Sequence, residues 1–422
     1  MLLKFKVENF KAFDTEVILN LEADLRTKKF NSNVAHNSQG NALKSIALYG
    51  PNNTGKTCFL DAIRVYQEVL LNQNTKIQSN VFSKSTVTKM GAEFLWENKR
   101  YAYSFSYDTK QESFLEEHFY QIEVDDYGNR KEKDSFYRNV VMHISKSSDK
   151  ELNKIMHLSS RDNIMIHSLD TTSLPLLATA KQILKSFAKK INVLSMQSIS
   201  PSKTMEMLKN EKSKEAKQIL KIIQAADLDI DDFYYDRNLV SHDIFDYDKN
   251  DMKDKNFRSL NQWLDVLRLV SVKKGKSLPS IIYDSLGTRK IVALSGYLIE
   301  CLNRGGSLFI DELDSGLHFK LSRSILSLFN NSVNTQAQLI FTTHDASLLD
   351  IRTLFRKEQI WFTDRVDEQL FLYSLSAFTA ENSGIRLDSS LYDHYSKGLF
   401  GALPDPTLID VLLTNQVGEV DE

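Results

Sequence analysis

Apolar residues fall into two rhythms along this chain, and together they predict an α/β protein. Continuous apolar runs at Ser45–Tyr49, Ile191–Ser195 and Gln338–Thr343 read as strands buried in a parallel sheet, and so does the run from Gly305 that ends in carboxylates at Asp311 and Glu312. From Gly91 to Val124 the pattern alternates instead, through Phe94, Trp96, Tyr101, Tyr103 and Phe105, as antiparallel strands do. Met1 to Val7 alternates in the same way. Helical spacing predicts helices from Cys58 to Val65, over 175–190, over 203–225, and through Ile291, Leu294, Leu298 and Leu302. Ile360–Thr363 and Leu370–Tyr373 read as closing strands. No heptad repeat is sustained, which excludes long coiled coils.

Composition narrows the class without naming an activity. A chain of 422 residues has room for two or three domains, and 42% hydrophobic with 26% charged residues is ordinary for a globular protein. The formal net charge of −2 excludes attachment to nucleic acid by bulk charge, while a local basic face stays open. Cys58 and Cys301 are too few for a disulfide framework and point to a reducing, cytoplasmic setting. The first residues lack the apolar core and cleavage site of a signal peptide, and no apolar run is long enough to cross a bilayer. A soluble protein with no membrane partner is expected.

The chemistry concentrates first at Gly50-Pro51-Asn52-Asn53-Thr54-Gly55-Lys56-Thr57, which fits G-x-x-x-x-G-K-[ST] between the strand Ser45–Tyr49 and a helix. Gly50 and Gly55 let the loop turn its backbone N–H groups, those of Asn52, Asn53 and Thr54 among them, toward phosphate oxygens. Lys56 is expected to reach the β- and γ-phosphates of a nucleoside triphosphate, and the Thr57 hydroxyl to ligate Mg²⁺. Cys58 adjoins Thr57, so alkylation of its thiol is expected to compete with nucleotide. A second half follows much later. Asp311, at the tip of its strand, suits the Mg²⁺ shell, and Glu312 is placed to orient or deprotonate the attacking water. Ahead of it, Asp284-Ser285-Leu286-Gly287-Thr288-Arg289-Lys290 opens a helix whose first turn can hold a phosphate. After it come Asp314-Ser315-Gly316-Leu317-His318 and, beyond the last strand, His344.

This order of phosphate loop, long insertion, Ser-x-Gly-Thr signature, Asp-Glu strand, Asp loop and histidine resembles an ABC-type ATPase head, similar to the RecF, SMC and OLD groups. Three stretches, Asp284 to Lys290, Ile310 to His318 and Phe341 to Asp350, are most similar to the AAA-family ATPases of bacterial anti-phage systems: abortive-infection, RloA-like and PARIS-type subunits. The tail Tyr395 to Pro404 resembles their Tyr-x-x-Gly-x-Tyr-Gly-Ala-Ile-Pro ending. The resemblance implies an ABC-type head with a RecA-like mixed sheet, an antiparallel β-subdomain and an inserted α-rich lobe. It implies segments at 1–90, 91–280, 281–375 and 376–422. ATP with Mg²⁺ would be sandwiched between two copies of the chain. Lys56, Thr57, Asp311 and Glu312 would serve the nucleotide of their own subunit, while Ser285, Gly287 and Thr288 would face the nucleotide of the other. Asp314 would couple the sites, and His344 would contact the γ-phosphate. Lys11, in the turn Asn9-Phe10-Lys11-Ala12-Phe13, would approach the nucleotide, and Gln197 is the candidate glutamine of the loop between lobes. The signature departs from Leu-Ser-Gly-Gly-Gln, and Leu294-Ser295-Gly296 is discounted because it lies inside a helix rather than at its start.

The insertion is the least legible part. Its Lys-rich stretch (Lys203, Lys209, Lys212, Lys214, Lys217, Lys221) is interleaved with Glu206, Glu211 and Glu215, so a solvated face with i,i+4 pairs is expected. Arg237-Asn238-Leu239-Val240-Ser241-His242 fits the R-N-x-x-x-H form of HEPN ribonucleases, but its surroundings read as strand and turn. No cysteine pairs suggest a metal cluster, and no Toprim nuclease domain is expected. The expectation is an ATPase switch of an anti-phage system whose separate effector does any cutting; the alternatives are a RecF- or SMC-like DNA-maintenance head and a self-contained nuclease.

Overall fold

The computed structural model describes residues 1–125, 128–226, 228–238, 265–366, 369–378 and 390–403. Strands β1 (Leu2–Glu8) and β2 (Val17–Asn20) pair antiparallel on either side of the Asn9–Phe13 turn, and β3 (Ser45–Tyr49) leads through the phosphate loop into helix α1 (Lys56–Leu71). A meander follows: β4 (Val87–Trp96), β5 (Lys99–Asp108), β6 (Ser113–Val124), β7 (Arg130–Asn139) and β8 (Ile144–Ser147). These strands extend β1 into a seven-stranded antiparallel sheet of order β8-β7-β6-β5-β4-β1-β2. The alternation read from Gly91 to Val124 is therefore part of a larger sheet that recruits the first strands of the chain. The division between 90 and 91 falls inside β4.

Helix α2 (Pro175–Ala188) precedes β9 (Ile191–Ser195). The single helix predicted over 203–225 is instead two, α3 (Ser202–Leu208) and α4 (Lys214–Ala225). Ser213 explains the break: its hydroxyl accepts from the Ala216 amide at 3.0 Å and so starts a new helix. Lys203 pairs across to Glu300 at 3.0 Å, and Lys209 lies 5.1 Å over the Tyr235 ring, so these two lysines serve packing between elements rather than i,i+4 pairs. Three strands that complete a small antiparallel sheet come next: β10 (Asp232–Tyr235), β11 (Leu269–Lys273) and β12 (Lys276–Pro279). The inserted lobe thus adds a small sheet to its helices.

The chain then returns to the main sheet with α5 (Leu286–Arg304), β13 (Gly306–Asp311), α6 (Phe319–Phe329), β14 (Ala337–Thr342), β15 (Ile360–Val366), β16 (Gln369–Ser374) and α7 (Leu391–Ser396). Its order is β9-β13-β14-β3-β15-β16, parallel until β16 closes the edge antiparallel. Helix α1 lies between the two large sheets: Phe59, Ile63 and Tyr66 join Phe5, Phe94 and Tyr103 of one and Phe309 and Ile340 of the other in a single apolar cluster. The Phe5 ring meets Phe59 and Tyr66 edge-on at 5.7 and 5.5 Å. Burial of each such side chain contributes about 1.5–3 kcal/mol, so the helix that carries Lys56 and Thr57 is clamped from both sides. On the opposite face α5 and α6 bring Leu294, Leu298, Leu326 and Phe329 against Leu308, Phe341 and Phe362. The layers give the α/β architecture expected from the apolar pattern. Among the described residues, no helix is long and apolar enough to cross a membrane.

Candidate functional site

Parallel strands β3, β13 and β14 end on the same edge, and their C-terminal ends carry the candidate groups, as ligand sites in open α/β sheets do. The loop after β3 is held in a shape that only its sequence allows. Gly50 has φ +151°, and a Cβ there would lie 2.3 Å from the Thr363 hydroxyl; Gly55 has φ +86° and packs under Phe13 and Leu370. Asn53 also takes a left-handed φ of +62°, while its carbonyl accepts from the Arg365 guanidinium at 3.2 Å. The Thr54 hydroxyl bonds Thr363 at 2.7 Å and donates to Pro51 O at 2.8 Å. Strand β15, which sequence reasoning treated only as closing the sheet, is therefore the support of the loop.

Lys56 is buried and donates from Nζ to the Gly50 and Pro51 carbonyls, each at 2.7 Å. Burial pushes its ammonium below the usual lysine value, and Asp311, Glu312 and Asp314 pull in the other direction. The Thr57 hydroxyl donates to Asp311 Oδ2 at 2.8 Å, and the other carboxylate oxygen accepts from Thr342 at 2.7 Å. Thr342 in turn accepts from the Glu312 amide at 2.7 Å. One hydroxyl thus ties the Asp311 carboxylate to the Glu312 backbone. The Thr342-Thr343 doublet before His344 is its mark in the sequence.

Glu312 has a left-handed φ of +54°, a costly conformation for a non-glycine residue and one that turns its carboxylate off the strand line. Its Oε2 accepts from Gln197 Nε2 at 2.7 Å. Gln197 follows β9, so two strands across the sheet converge on this carboxylate. The Asp loop and His344 are also joined: the His344 amide donates to Asp314 Oδ2 at 3.2 Å, while Asp314 Oδ1 is buried without a partner among the described residues. Desolvation and then the Lys56 ammonium push the His344 imidazole below its ordinary value.

Ser285 caps α5, accepting from the Thr288 amide at 3.2 Å, with the two hydroxyls 2.9 Å apart. Gly287 abuts the Asp loop so closely that a Cβ would lie 2.8 Å from Gly316 O. Lys290 completes the join by donating to the Ser315 carbonyl at 2.9 Å. Ser285 and Leu286 remain exposed. The structure therefore gathers Gly50 to Thr57, Asp311, Glu312, Asp314, His344 and Gln197 at one edge, and seats Ser285, Gly287 and Thr288 beside the Asp loop.

The family model described as "AAA domain, putative AbiEii toxin, Type IV TA system" matches residues 45–350, well over half of the chain. The chain belongs to this AAA-domain family. Two solved structures are similar to it. One is an SMC head bound to the C-winged helix domain of ScpA, at 13% identity and TM-score 0.46, covering 88% of this chain and 97% of that one. The other is the SMC head domain from Thermotoga maritima, at 11% identity and TM-score 0.41, covering 88% and 98%. A search of curated proteins finds no match.

Membership implies nucleotide binding, and the residues of this AAA domain suit it. Thr57 and Asp311 present hard oxygen donors side by side, the ligand type that Mg²⁺ takes. Lys11, expected near the nucleotide, is engaged by Asp61 at 2.6 Å on α1. The Cys58 thiol is pushed up by burial, which slows the alkylation anticipated from its place beside Thr57. The tail is tied to the sheet: the Ala402 amide donates to Asp364 at 3.0 Å, and Tyr373 donates to Phe400 O at 2.6 Å. Asp364 directly follows the loop-supporting Thr363. Pro404 lies outside the described residues. In the Arg237–His242 string, Arg237 and Asn238 form a turn after β10, and His242 lies outside the described residues. Among the described residues, no group of His, Cys, Asp or Glu is arranged to hold a metal by itself.

Proposed function

We propose that this AAA domain binds and hydrolyses ATP at a site shared between two copies, and that it acts as the switch subunit of an anti-phage defence system with a separate effector. The observation that supports the reading best is the chain of contacts Thr57–Asp311–Thr342–Glu312–Gln197 beside a buried Lys56. Lys56 exchanges the loop carbonyls for β- and γ-phosphate oxygens. Thr57 and Asp311 would hold Mg²⁺, which would supply positive charge to the phosphates. Glu312 takes a proton from water; the water oxygen bonds the γ-phosphorus while the β–γ bridge breaks, and ADP and phosphate leave. Gln197 occupies one Glu312 oxygen and leaves the other to act as base. His344, lowered toward its neutral form, meets the γ-phosphate. Ser285 and the first turn of α5 close on the nucleotide of the other copy, and Asp314 links the two sites. Bound ATP favours the closed pair, hydrolysis releases it, and the effector reads the difference.

The test is the native mass of Glu312→Gln purified with ATP and Mg²⁺ from cells carrying the flanking genes. An ATP-dependent assembly with a second polypeptide is the expected result. A homodimer that retains DNA would replace the defence reading with a DNA-maintenance head. A monomer at saturating ATP would overturn the composite site.

A further inference from the structure

The residue before the signature serine is built unlike a loop residue. The Asp284 side chain has no exposed surface, and its Oδ1 lies 2.6 Å from Lys273 Nζ. The Ser271 hydroxyl donates to the same oxygen at 3.2 Å, whereas Oδ2 is buried with no partner among the described residues. Ser271 and Lys273 both belong to β11, the middle strand of the inserted three-stranded sheet. The next residue along the chain, Ser285, is exposed and caps α5. A buried carboxylate held through one oxygen by one cation cannot lose that cation without stranding its charge, so Asp284 and β11 must move together.

We propose that Asp284 is a positioning residue for Ser285: its ion pair with Lys273 registers the signature to the inserted sheet, so that hydrolysis of the nucleotide held by the other copy depends on the placement of that sheet. The inference rests on the composite-site reading above. Lys290 carries the same registration onward, because its bond to Ser315 ties the first turn of α5 to the Asp loop of its own subunit. A partner that displaces β11 therefore reaches both elements that face the second copy. The phosphate loop, whose supports lie on β15 and α1, is left in place.

Two mixed dimers, each purified through a tag on either subunit, test this. Pairing Asp284→Asn with Lys56→Ala leaves one working phosphate loop facing an intact signature, and hydrolysis should match that of wild type paired with Lys56→Ala. Pairing wild type with the double variant Asp284→Asn/Lys56→Ala leaves one working loop facing the altered signature. Its rate should fall about tenfold or more at unchanged nucleotide affinity, as misplacement of a contacting group does. Lys273→Arg, which keeps the ion pair, should retain wild-type hydrolysis. Should Asp284→Asn not fold, Asp284→Asn/Lys273→Gln removes both charges and should fold while showing the same asymmetry. Equal rates in the two mixed dimers, fast or slow, would overturn the assignment. If wild type neither associates nor turns over ATP, it is the composite-site reading that falls, and the mixed dimers are not the cause.

Discussion

The phosphate-loop half and the signature half of this site are finished to different degrees within one chain. Around Lys56 and Thr57 almost every polar group has its partner: the loop carbonyls hold the ammonium, Asp311 is bonded on both oxygens, and Glu312 is bonded at amide and carboxylate. Around Ser285 the supports are equally firm behind the residue, through Asp284 and Lys290, but the face itself is exposed, and Leu286 beside it is 58% exposed. A half that is rigid behind and bare in front suits contact with a second surface. The difference teaches that the phosphate-loop half is finished within one copy, while the signature half presents its face outward, as the proposed shared site requires.

The strongest way to break this comparison is Glu312→Gln, which removes the proposed base from the finished half. Turnover should fall about 10²–10⁴-fold with ATP affinity retained, measured by phosphate release and equilibrium binding. Turnover at the wild-type rate would assign the base elsewhere. Lys56→Ala deletes the cation of the same half, and nucleotide affinity should weaken about a hundredfold, the scale of a lost charge-assisted hydrogen bond. Unchanged affinity by calorimetry would refute the loop assignment. Ser285→Arg acts on the outward half. It should leave binding by the isolated subunit within about twofold, as a surface change does, while abolishing ATP-dependent association in sedimentation; weaker binding instead would place Ser285 on its own subunit's nucleotide.

A smaller effect sharpens the support of the loop. Thr363→Val removes the hydroxyl that meets Thr54 and should cost about 1 kcal/mol of stability with a severalfold loss of affinity; melting with and without nucleotide separates the two. The smallest effect is a proton. Both His344 and His167 titrate below the ordinary histidine value, His167 at about 4, through burial first. Each takes up its proton more readily in the unfolded chain, so each withdraws stability as pH falls from about 6.5 toward its folded value. Nucleotide should raise only His344, because phosphate charge offsets Lys56, and NMR titration with and without ATP checks it. His167 Nε2 lies 3.0 Å from the Leu70 carbonyl of α1, so a shift there as well would mean that nucleotide reorganises that helix.

Legibility followed locality. The loop from Gly50 to Thr57, the strand ending at Asp311 and Glu312, and the cap at Ser285 each depend on residues within a few positions of one another, so spacing alone predicts them. The single helix expected over 203–225 failed for a local reason also: Ser213 competes as a cap, and the apolar period continues across the break. What stayed hidden depends on distant partners. Thr363, the hold on Thr54, sits 309 positions away from it, and no motif marks it. Asp284 looked like part of a phosphate-binding turn, and only the pairing of β10, β11 and β12 makes it a buried anchor. Gln197 could be placed after a strand, but its bond to Glu312 requires β9 and β13 to run side by side.

The sequence by itself determined the α/β architecture and the residue types at the nucleotide edge, because apolar period and turn chemistry are properties of short segments, and the order of its motifs carried the resemblance to the family. Only the tertiary structure decided which hydroxyl ties the Asp311 carboxylate to the Glu312 backbone, which strand holds the phosphate loop and how the insertion reaches the signature. Those are contacts between segments that the sheet order brings together, and sheet order is settled by the burial of all its faces at once.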